Sequence, residues 1–381
     1  MKKLVIIGAG EFQVPLIKKA KELGYETHVF AWEDGAVGKD FANYFYPISV
    51  LDDQAILSVC RQINPQGVVS AASEVCYIAA TKVASQLNLP CNDPKYLLIQ
   101  TNKYHMRNAF RKSGLETPFF FMTKDINLNQ EKIKFPVIVK PTDRSGSRAI
   151  CKITESEMLQ DAITDALAES FSKEAIIEEF IEGDEYSCES ISICGKHHIL
   201  AITKKFTTNE PNFIETAHIQ PSDLNESMYN KVCDAVQSAL DVLHVRNSAS
   251  HAEFRIDRFG NIRFIEIGAR MGGDCIGSHL VPLSSGFDYL RMIIDVAVGN
   301  DIVFKKLPHY QYAAVKFLLS NEDKEECEKI EAKYPGTVVE KFRNTSDFCQ
   351  QVCDSGSRMG YTVFASNDKL IIEEVNGLVA E

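Results

Sequence analysis

The stretch HAEFRIDRFGNIRFIEIGAR, residues 251–270, has one acidic residue inside each of two apolar runs. Residues 252–256 and 263–267 have the pattern of β-strands, and the turn-forming sequence DRFG between them predicts a hairpin. In a tight hairpin, Glu253 and Glu266 lie on one face of adjacent strands. Two carboxylates that close are costly unless a cation neutralises them. Mg²⁺ is the hard cation that one or two carboxylates usually hold together with substrate phosphates.

A purely structural explanation of the two acids is a salt bridge to Arg255 or Arg263 in the same strands. The position of another basic residue favours chemistry instead. Arg270 follows Glu266 by four residues, where its guanidinium would meet a transferring phosphoryl group. The stretch therefore predicts a strand pair that holds a metal ion beside a reacting phosphate.

A lysine ends the apolar run FPVIVKP at residues 135–141. Lys140 would waste its charge inside a core unless it faced an anion. The small residues of TDRSGSR, residues 142–148, follow at once and let backbone N–H groups approach phosphate oxygens, with hydroxyl groups and two arginines nearby. The alternative is a surface turn beside a solvated lysine, and the pattern by itself does not separate the two.

Two adjacent carboxylates, Glu178 and Glu179, end a later apolar run in IIEEFIEGDEYS, residues 176–187. A turn and a further strand follow them. Such a strand end suits a hinge that grips an adenine ring through its backbone. The alternative is an ordinary strand end in solvent.

The N-terminal run LVIIGAG, residues 4–10, leads from a β-rich segment into a helix through two glycines. It resembles a dinucleotide-binding fingerprint, but Gln13 stands at the third glycine position, and the acidic residue expected about 20 positions later is missing from the strand end. Glu33 and Asp34 come just after that end. We favour a turn near a substrate edge over a nicotinamide site. The remaining alternative is a turn that only lets strand and helix pack closely.

Strand and helix patterns alternate over residues 1–92, which predicts a doubly wound parallel sheet. Pro90 and the sequence NDP after it close this unit. A long helix is expected over 95–113, and short β patterns dominate afterwards. The expected units are 1–92, 93–300 with a small lid at about 116–185, and an α+β unit at 301–381 with a helix at 346–354.

The bulk composition narrows the class of partner and the compartment. The 381-residue chain has a net charge of −11, which argues against nucleic-acid and anionic-membrane binders, because both need clustered Lys and Arg. No run approaches the roughly 20 apolar residues that cross a bilayer. Eleven cysteines without a CxxC pair indicate reduced thiols, so a cytoplasmic protein is expected.

In their order and spacing, these segments resemble the ATP-grasp superfamily over almost the whole chain. The resemblance implies an α/β pre-domain, then an ATP-grasp fold with a small lid subdomain, then a C-terminal α+β extension. It implies ATP and Mg²⁺ as cofactors, with Mn²⁺ as a substitute, and small-molecule carboxylate and amine substrates as partners. A homodimer is the commonest expectation for assembly.

The resemblance also implies roles for individual residues. The lysines would contact ATP phosphates, the small-residue loop would cover them, and the hinge and the residues after it would hold adenine and ribose. The implied ATP-contacting residues are Lys103, Lys140, Arg144, Ser145, Gly146, Ser147, Glu178, Glu179, Ile181 and Glu185.

For the chemistry, Glu253 and Glu266 correspond to the magnesium ligands of the superfamily. Arg270 and Lys140 correspond to the groups that stabilise the acyl-phosphate step. One departure concerns Gly268, which stands where many relatives have Asn. That side-chain ligand is absent here, and a water molecule is the alternative ligand.

Two segments are similar to the amino-acid ligase branch of the superfamily, IEIGARMGGD at 265–274 and FIETAH at 213–218. The implied substrate residues are His218, Gly272, Gly273 and Asp274. The histidine would lie near the substrate carboxylate or its phosphate, although a lone histidine is more often structural. The glycines would let the substrate approach the backbone, and the aspartate would hold its ammonium group.

The implied function is an ATP-dependent ligase that acts on an amino acid or a similar small carboxylate. The carboxylate attacks the γ-phosphate, and an amine then displaces phosphate while loop closure excludes water. One alternative is a biotin-carboxylase-like or purine-pathway enzyme that shares the ATP site and uses bicarbonate. A nicotinamide oxidoreductase would rest on residues 8–10 alone. A nucleotide-binding protein without turnover would give no role to the lysines, the paired acids and Arg270.

Overall fold

The structure is a computed structural model that describes residues 2–128, 133–208, 210, 213–344, 352 and 354–377. Its N-terminal elements are β1 (Lys2–Ile7), α1 (Val14–Glu22), β2 (Tyr25–Phe30), β3 (Tyr44–Tyr46), α2 (Asp53–Ile63), β4 (Gly67–Val69) and α3 (Glu74–Gln86). The four strands form a parallel sheet in the order β3-β2-β1-β4.

Strand β1 is buried on both faces, as expected of a sheet between two helical layers. Leu4 and Ile6 belong to one apolar core with α1. Val5 and Ile7, which alternate with them, belong to another core with α2 and α3. The doubly wound N-terminal sheet predicted from the sequence is confirmed.

The single helix predicted over 95–113 is two helices, α4 (Leu97–Thr101) and α5 (Lys103–Ser113). Asn102 between them has an extended backbone, and its side chain accepts a hydrogen bond from His105 N. An asparagine in this conformation is a strong N-cap, which is why a new helix begins here. The break places Lys103 at the first position of α5.

A small antiparallel sheet lies within the segment expected to be the lid. Its strands have the order β5-β8-β6-β7, and one helix packs on them. These elements are β5 (Phe120–Thr123), β6 (Val137–Pro141), β7 (Cys151–Ile153), α6 (Leu159–Glu169) and β8 (Ala175–Glu179).

The remaining elements are the strands of an eight-stranded sheet and the helices between and after them. The first of these elements are β9 (Asp184–Ile193), β10 (Lys196–Thr207), β11 (Glu215–Gln220), α7 (Glu226–Val242), β12 (Ser248–Ile256), β13 (Ile262–Gly268), α8 (Val281–Ser285) and α9 (Tyr289–Val298). The C-terminal part consists of β14 (Tyr312–Leu318), α10 (Asn321–Lys333), β15 (Val338–Arg343), β16 (Gly360–Ser366) and α11 (Lys369–Val375).

The strand order in this sheet is β13-β12-β9-β10-β11-β14-β16-β15. The strands after residue 301 therefore extend the large sheet and do not form a sheet of their own. Most of the helix predicted at 346–354 lies outside the described residues. Asp354, which is described, has an extended backbone and caps the turn Ser355–Ser357.

Helix α9 joins the N-terminal sheet to the large sheet. It is buried on nearly every side, and its residues share one apolar core with β1 and with Ile191 of β9. The OH of Tyr289 donates to the Ser190 carbonyl at 2.7 Å. No helix in the described part of the chain is long and apolar enough to span a membrane.

Candidate active site

A cavity of about 530 Å³ is lined by residues of the small sheet, of the eight-stranded sheet and of N-terminal segments outside the parallel strands, such as Phe12, Trp32 and Ala72. It brings together all but one of the residues singled out above. These are Lys103, Lys140, Arg144, Ser145, Gly146, Ser147, Glu178, Glu179, Ile181, Glu185, His218, Glu253, Glu266, Arg270, Gly273 and Asp274. The exception is Gly272.

The two strand carboxylates stand directly opposite each other, because Glu253 of β12 pairs in register with Glu266 of β13. Lys205 Nζ donates to Glu253 Oε1, and Lys103 Nζ lies 3.0 Å from Glu266 Oε1. Burial raises the pKa of Glu253, but Lys205 and the ring of His251 more than offset it and hold that pKa well below its usual value. Glu253 is therefore ionised, and each acid faces an ammonium group.

The arginines of the same strands pair elsewhere. Arg255 Nη2 lies 3.0 Å from Glu185 Oε2, and Arg263 Nε lies 3.3 Å from Glu116 Oε2. The salt-bridge explanation that used these arginines is therefore wrong for the opposed acids. Among the described residues, no three His, Cys, Asp or Glu side chains are grouped to hold a metal ion. Two opposed carboxylates fit Mg²⁺ when phosphates and water supply the other oxygens.

Gly268 makes room for an ion pair between two parts of the chain. A Cβ atom there would lie 3.2 Å from Glu74 Oε1 and 3.3 Å from Arg270 Cζ. Arg270 Nη2 donates to the carboxylate of Glu74, which begins α3. A side chain at position 268 would press against this pair, and the glycine leaves it undisturbed.

Lys140 is held by a buried carboxylate. Its Nζ lies 2.6 Å from Glu178 Oε2, and Arg107 Nε lies 2.6 Å from Glu178 Oε1. Burial raises the pKa of Glu178, but Arg107 and Lys140 reverse this and lower it to about 2. Glu178 therefore joins β8 to α5 and orients Lys140 toward the cavity.

The hinge backbone is partly engaged by the protein itself. Glu179 N donates to the Phe119 carbonyl at 2.8 Å, and the Ile181 carbonyl accepts from Arg255 Nη1 at 2.8 Å. Glu185 pairs with the same arginine. The adenine and ribose roles of these residues stay predictions.

The loop at 144–147 folds over the cavity. The carbonyl of Arg144 accepts from Lys103 Nζ at 2.6 Å, and its guanidinium lies 4.4 Å from the centroid of the Phe171 ring. Gly146 and Ser147 have φ of 75° and 55°. Such left-handed residues form concave turns in which backbone N–H groups converge on an anion.

Lys205 lies among three carboxylates. Besides Glu253, its Nζ has Glu185 at 3.5 Å and Glu215 at 3.8 Å. Burial lowers the pKa of Lys205, and the three carboxylates raise it above its usual value. This ammonium is therefore charged and occupies the centre of an acidic cluster.

His218 is completely buried in the cavity wall. Neither ring nitrogen has a hydrogen-bond partner among the described residues, and the ring meets Phe317 edge-on at 5.3 Å. Burial, with Lys205 nearby, lowers the pKa of His218 to about 3. The imidazole is therefore neutral near pH 7, with one donor and one acceptor that no described residue uses.

Asp274 already has a cationic partner. Its Oδ1 accepts from Arg358 Nη2 at 2.6 Å, and the Arg358 guanidinium lies 3.8 Å from the centroid of the Phe317 ring. An aspartate free for a substrate ammonium, as expected from the sequence, is therefore not what the structure has. A substrate would meet an Asp–Arg pair with both signs of charge.

Gly272 lies behind the cavity wall and not at its surface. A Cβ atom there would lie 2.6 Å from His251 Nδ1 and 3.0 Å from Glu189 Oε1. His251 donates to Glu189, whose carboxylate opposes the effect of burial and raises the pKa of His251 to about 9. The glycine thus accommodates a buried ion pair, and the substrate approach expected at its backbone stays a prediction.

The charged residues that line the cavity without a role assigned from the sequence include Glu74, Arg107, Lys205, Glu215 and Arg358. Arg107 has a local signal, because it follows Lys103 by four residues on one helix face. Glu74 and Arg358 have none, since their partners are 196 and 84 residues away.

A family model described as an ATP-grasp domain matches residues 133–278. The alanine–anticapsin ligase of Bacillus subtilis strain 168 is 29% identical over 226 residues, which are 52% of this chain and 47% of that protein. The chain thus spans about half the length of that relative.

A second relative aligns over nearly the whole chain. The formate-dependent phosphoribosylglycinamide formyltransferase of Prochlorococcus marinus strain MIT 9515 is 23% identical over 397 residues, 98% of this chain and 95% of that protein. The crystal structure of an L-amino acid ligase from Bacillus licheniformis superposes with a TM-score of 0.79 at 22% identity, covering 99% of this chain and 97% of the other. This likeness confirms the fold class over the whole chain.

Proposed function

We propose that the protein is an ATP-dependent carboxylate–amine ligase, because residues 133–278 match the model of the ATP-grasp domain family. It would activate a small carboxylate as an acyl phosphate and join it to an amine. One observation carries the proposal. Glu253 and Glu266 oppose each other across two strands in the cavity that also holds Lys103, Lys140 and Arg270.

ATP binding would exchange the partners of these charges. Lys103 and Lys205 now neutralise the carboxylates that resemble the magnesium ligands. Glu253 and Glu266 would hold Mg²⁺, and the ammonium groups of Lys103 and Lys205 would then face phosphate oxygens. Each buried charge keeps a partner throughout the exchange, which avoids the large cost of an uncompensated charge.

In the first chemical step, the substrate carboxylate would attack the γ-phosphate and release ADP. Negative charge develops on the phosphoryl oxygens, and Lys140 and Arg270 would stabilise it. Mg²⁺ would supply further charge neutralisation when bound. Neutral His218 would donate its N–H to an oxygen of the substrate carboxylate or of the acyl phosphate.

In the second step, an amine would attack the acyl carbon, expel phosphate and lose a proton. Water competes for the same carbon. Ser145, Gly146 and Ser147 lie on the loop that covers the cavity, so closure of this loop would exclude water.

For the substrate, an amino acid is favoured by the likeness of residues 213–218 and 265–274 to amino-acid ligases. Its ammonium and carboxylate would separate the Asp274–Arg358 pair and engage one member each. A second candidate is an anionic purine-pathway substrate. Arg358 at this end of the cavity would suit a phosphate, and the relative that aligns over 98% of the chain is a phosphoribosylglycinamide enzyme.

The test is ADP release with Mg²⁺ and ATP across amino acids, singly and in pairs. A parallel reaction contains formate and phosphoribosylglycinamide, and another contains bicarbonate. Release that needs two amino acids supports the amino-acid ligase. ADP release only with the phosphoribosyl compound selects the second candidate. If none of the mixtures releases ADP, the ligase proposal is contradicted.

A further inference from the structure

We propose that Glu189 and His251 are positioning residues for Glu253, which hold one of its carboxylate oxygens and leave the other for the divalent cation. The inference rests on the proposed function, because it concerns the metal ligand of that site. It assigns a role to two residues that the proposed function does not use.

The three side chains are in line on adjacent strands. Glu189 of β9 pairs in register with His251 of β12. Glu253 follows His251 by two residues and so projects from the same face of the sheet. His251 Nδ1 donates to Glu189 Oε1, and His251 Nε2 donates to Glu253 Oε1 at 3.1 Å. The ring of His251 therefore bridges the two carboxylates.

The contacts of Glu253 are unequal at its two oxygens. Oε1 accepts from both Lys205 Nζ and His251 Nε2. Within the described part of the chain, no group donates to Oε2, and the side chain keeps 21% of its surface exposed. A carboxylate held from one side in this way presents its second oxygen in a fixed direction. Fixed orientation of a ligand by an outer partner is a common source of metal affinity.

A backbone contact ties the same network to the substrate loop. Glu189 is fully buried, and its Oε2 accepts from Gly272 N at 3.1 Å. The close approach of His251 to Gly272 leaves no room for a side chain at that position. Gly273 and Asp274 follow Gly272 directly. Glu189 and His251 therefore contact both the proposed metal ligand and the chain segment at the substrate end of the cavity.

Two substitutions of His251 separate the two hydrogen bonds. In His251→Asn, the amide nitrogen can replace Nδ1 toward Glu189 but cannot reach Glu253. In His251→Gln, the amide nitrogen is placed like Nε2 and restores a donor to Glu253. The matched control is Ser250→Ala, since Ser250 precedes His251 in β12 and pairs with Ser190, which follows Glu189 in β9.

The primary readout is Mn²⁺ binding in the presence of ADP, measured by electron paramagnetic resonance. We expect His251→Asn to weaken Mn²⁺ binding by about 10- to 100-fold, the usual loss for an outer-shell partner. His251→Gln should recover most of this loss, and Ser250→Ala should bind as the wild type does. In the ligase assay, His251→Asn should raise the KM for Mg²⁺ more than it lowers kcat at saturating Mg²⁺.

Gly272→Ala tests the inference at the contact of His251 with Glu189, and it replaces His251→Asn if that variant does not fold. It should push His251 away from Glu189 and weaken Mn²⁺ binding as well. Equal Mn²⁺ affinity in wild type, His251→Asn and Gly272→Ala overturns the positioning role and leaves the ligase proposal intact. Absence of Mn²⁺ binding in the wild type with ADP overturns both.

Discussion

Replacement of Lys140 by methionine tests the nucleotide site most directly. Methionine retains most of the length of the lysine stem and removes only the ammonium group. In the structure this ammonium lies at the end of β6, 2.6 Å from Glu178, and faces the cavity. Arg107 still holds Glu178 through Nε at 2.6 Å, so the carboxylate should keep its position in the variant.

The expected loss follows from the kind of contact that is removed. A hydrogen bond from a charged group contributes about 1.5–3 kcal/mol, which corresponds to a rise of roughly 10- to 150-fold in the dissociation constant for ATP. Adenosine has no phosphates for Lys140 to meet. Its affinity should therefore change little in Lys140→Met, and ADP should lie between the two.

Isothermal titration calorimetry with ATP, ADP and adenosine, each with Mg²⁺, measures the loss of affinity for each of the three ligands. The control is Lys134→Met, which removes an exposed lysine six residues earlier and should bind all three as the wild type does. Thermal unfolding checks that both variants are folded. Equal ATP affinity in Lys140→Met and wild type would refute a phosphate contact, and a loss of equal size for adenosine would place the defect in the hinge.

Three further predictions concern the metal, the pH dependence of stability and the substrate. Glu266→Gln should keep the fold by thermal unfolding and abolish Mg²⁺-dependent ADP release; turnover at the wild-type rate would contradict a metal role. Burial raises the pKa of Glu11 to about 7, so the native state retains a proton that the unfolded chain releases near 4.5, and stability falls as pH rises between these values. Urea unfolding should therefore find Glu11→Gln more stable than wild type at pH 8 and equal at pH 4, and an equal difference at both would contradict this. If the substrate carboxylate takes Arg358, the substrate ammonium must replace it at Asp274, so the wild type should prefer an amino acid over its des-amino analogue by roughly a hundredfold in ADP release. Asp274→Ala should lose this preference, and a wild type without it would refute the amino-acid substrate.

The hairpin was predictable because its signals are local. Alternating apolar residues, a four-residue turn and an acid in each strand all lie within 20 residues of sequence. The structure has β12 and β13 at this place, with Glu253 opposite Glu266. Local signals also located Lys140 and the loop after it, because a charge at the end of an apolar strand needs a reason.

Helical boundaries were less predictable where a cap competes with the helix. Asn102 has a side chain that can cap, and this local preference broke one predicted helix into two. The 17-residue helix α7 was not assigned, although Val232, Val236, Ala239 and Leu240 are buried at helical spacing. That signal was present in the sequence.

The charge pairs were not predictable, since they join distant segments. Glu74 reaches Arg270 from the N-terminal part of the chain, and Arg358 reaches Asp274 from the C-terminal part. No local pattern connects such residues. The roles of Asp274 and Gly272 changed for this reason, because each has a neighbour that only the tertiary fold supplies.

The ion pairs also show that a structural salt bridge and a functional site do not exclude each other for these residues. A buried charge without a partner destabilises a fold by several kcal/mol, so an active site rich in ions must pair them before any ligand arrives. Lys103 with Glu266 and Lys205 with Glu253 meet that need. A complex of a dication with a polyphosphate can take over both partners at once, giving the cation to the acids and the phosphates to the lysines. A Mg²⁺-nucleotide site is therefore expected to contain opposite charges that neutralise one another before the ligand binds. The ion pairs of Lys103 and Lys205 support the proposed nucleotide site for this reason.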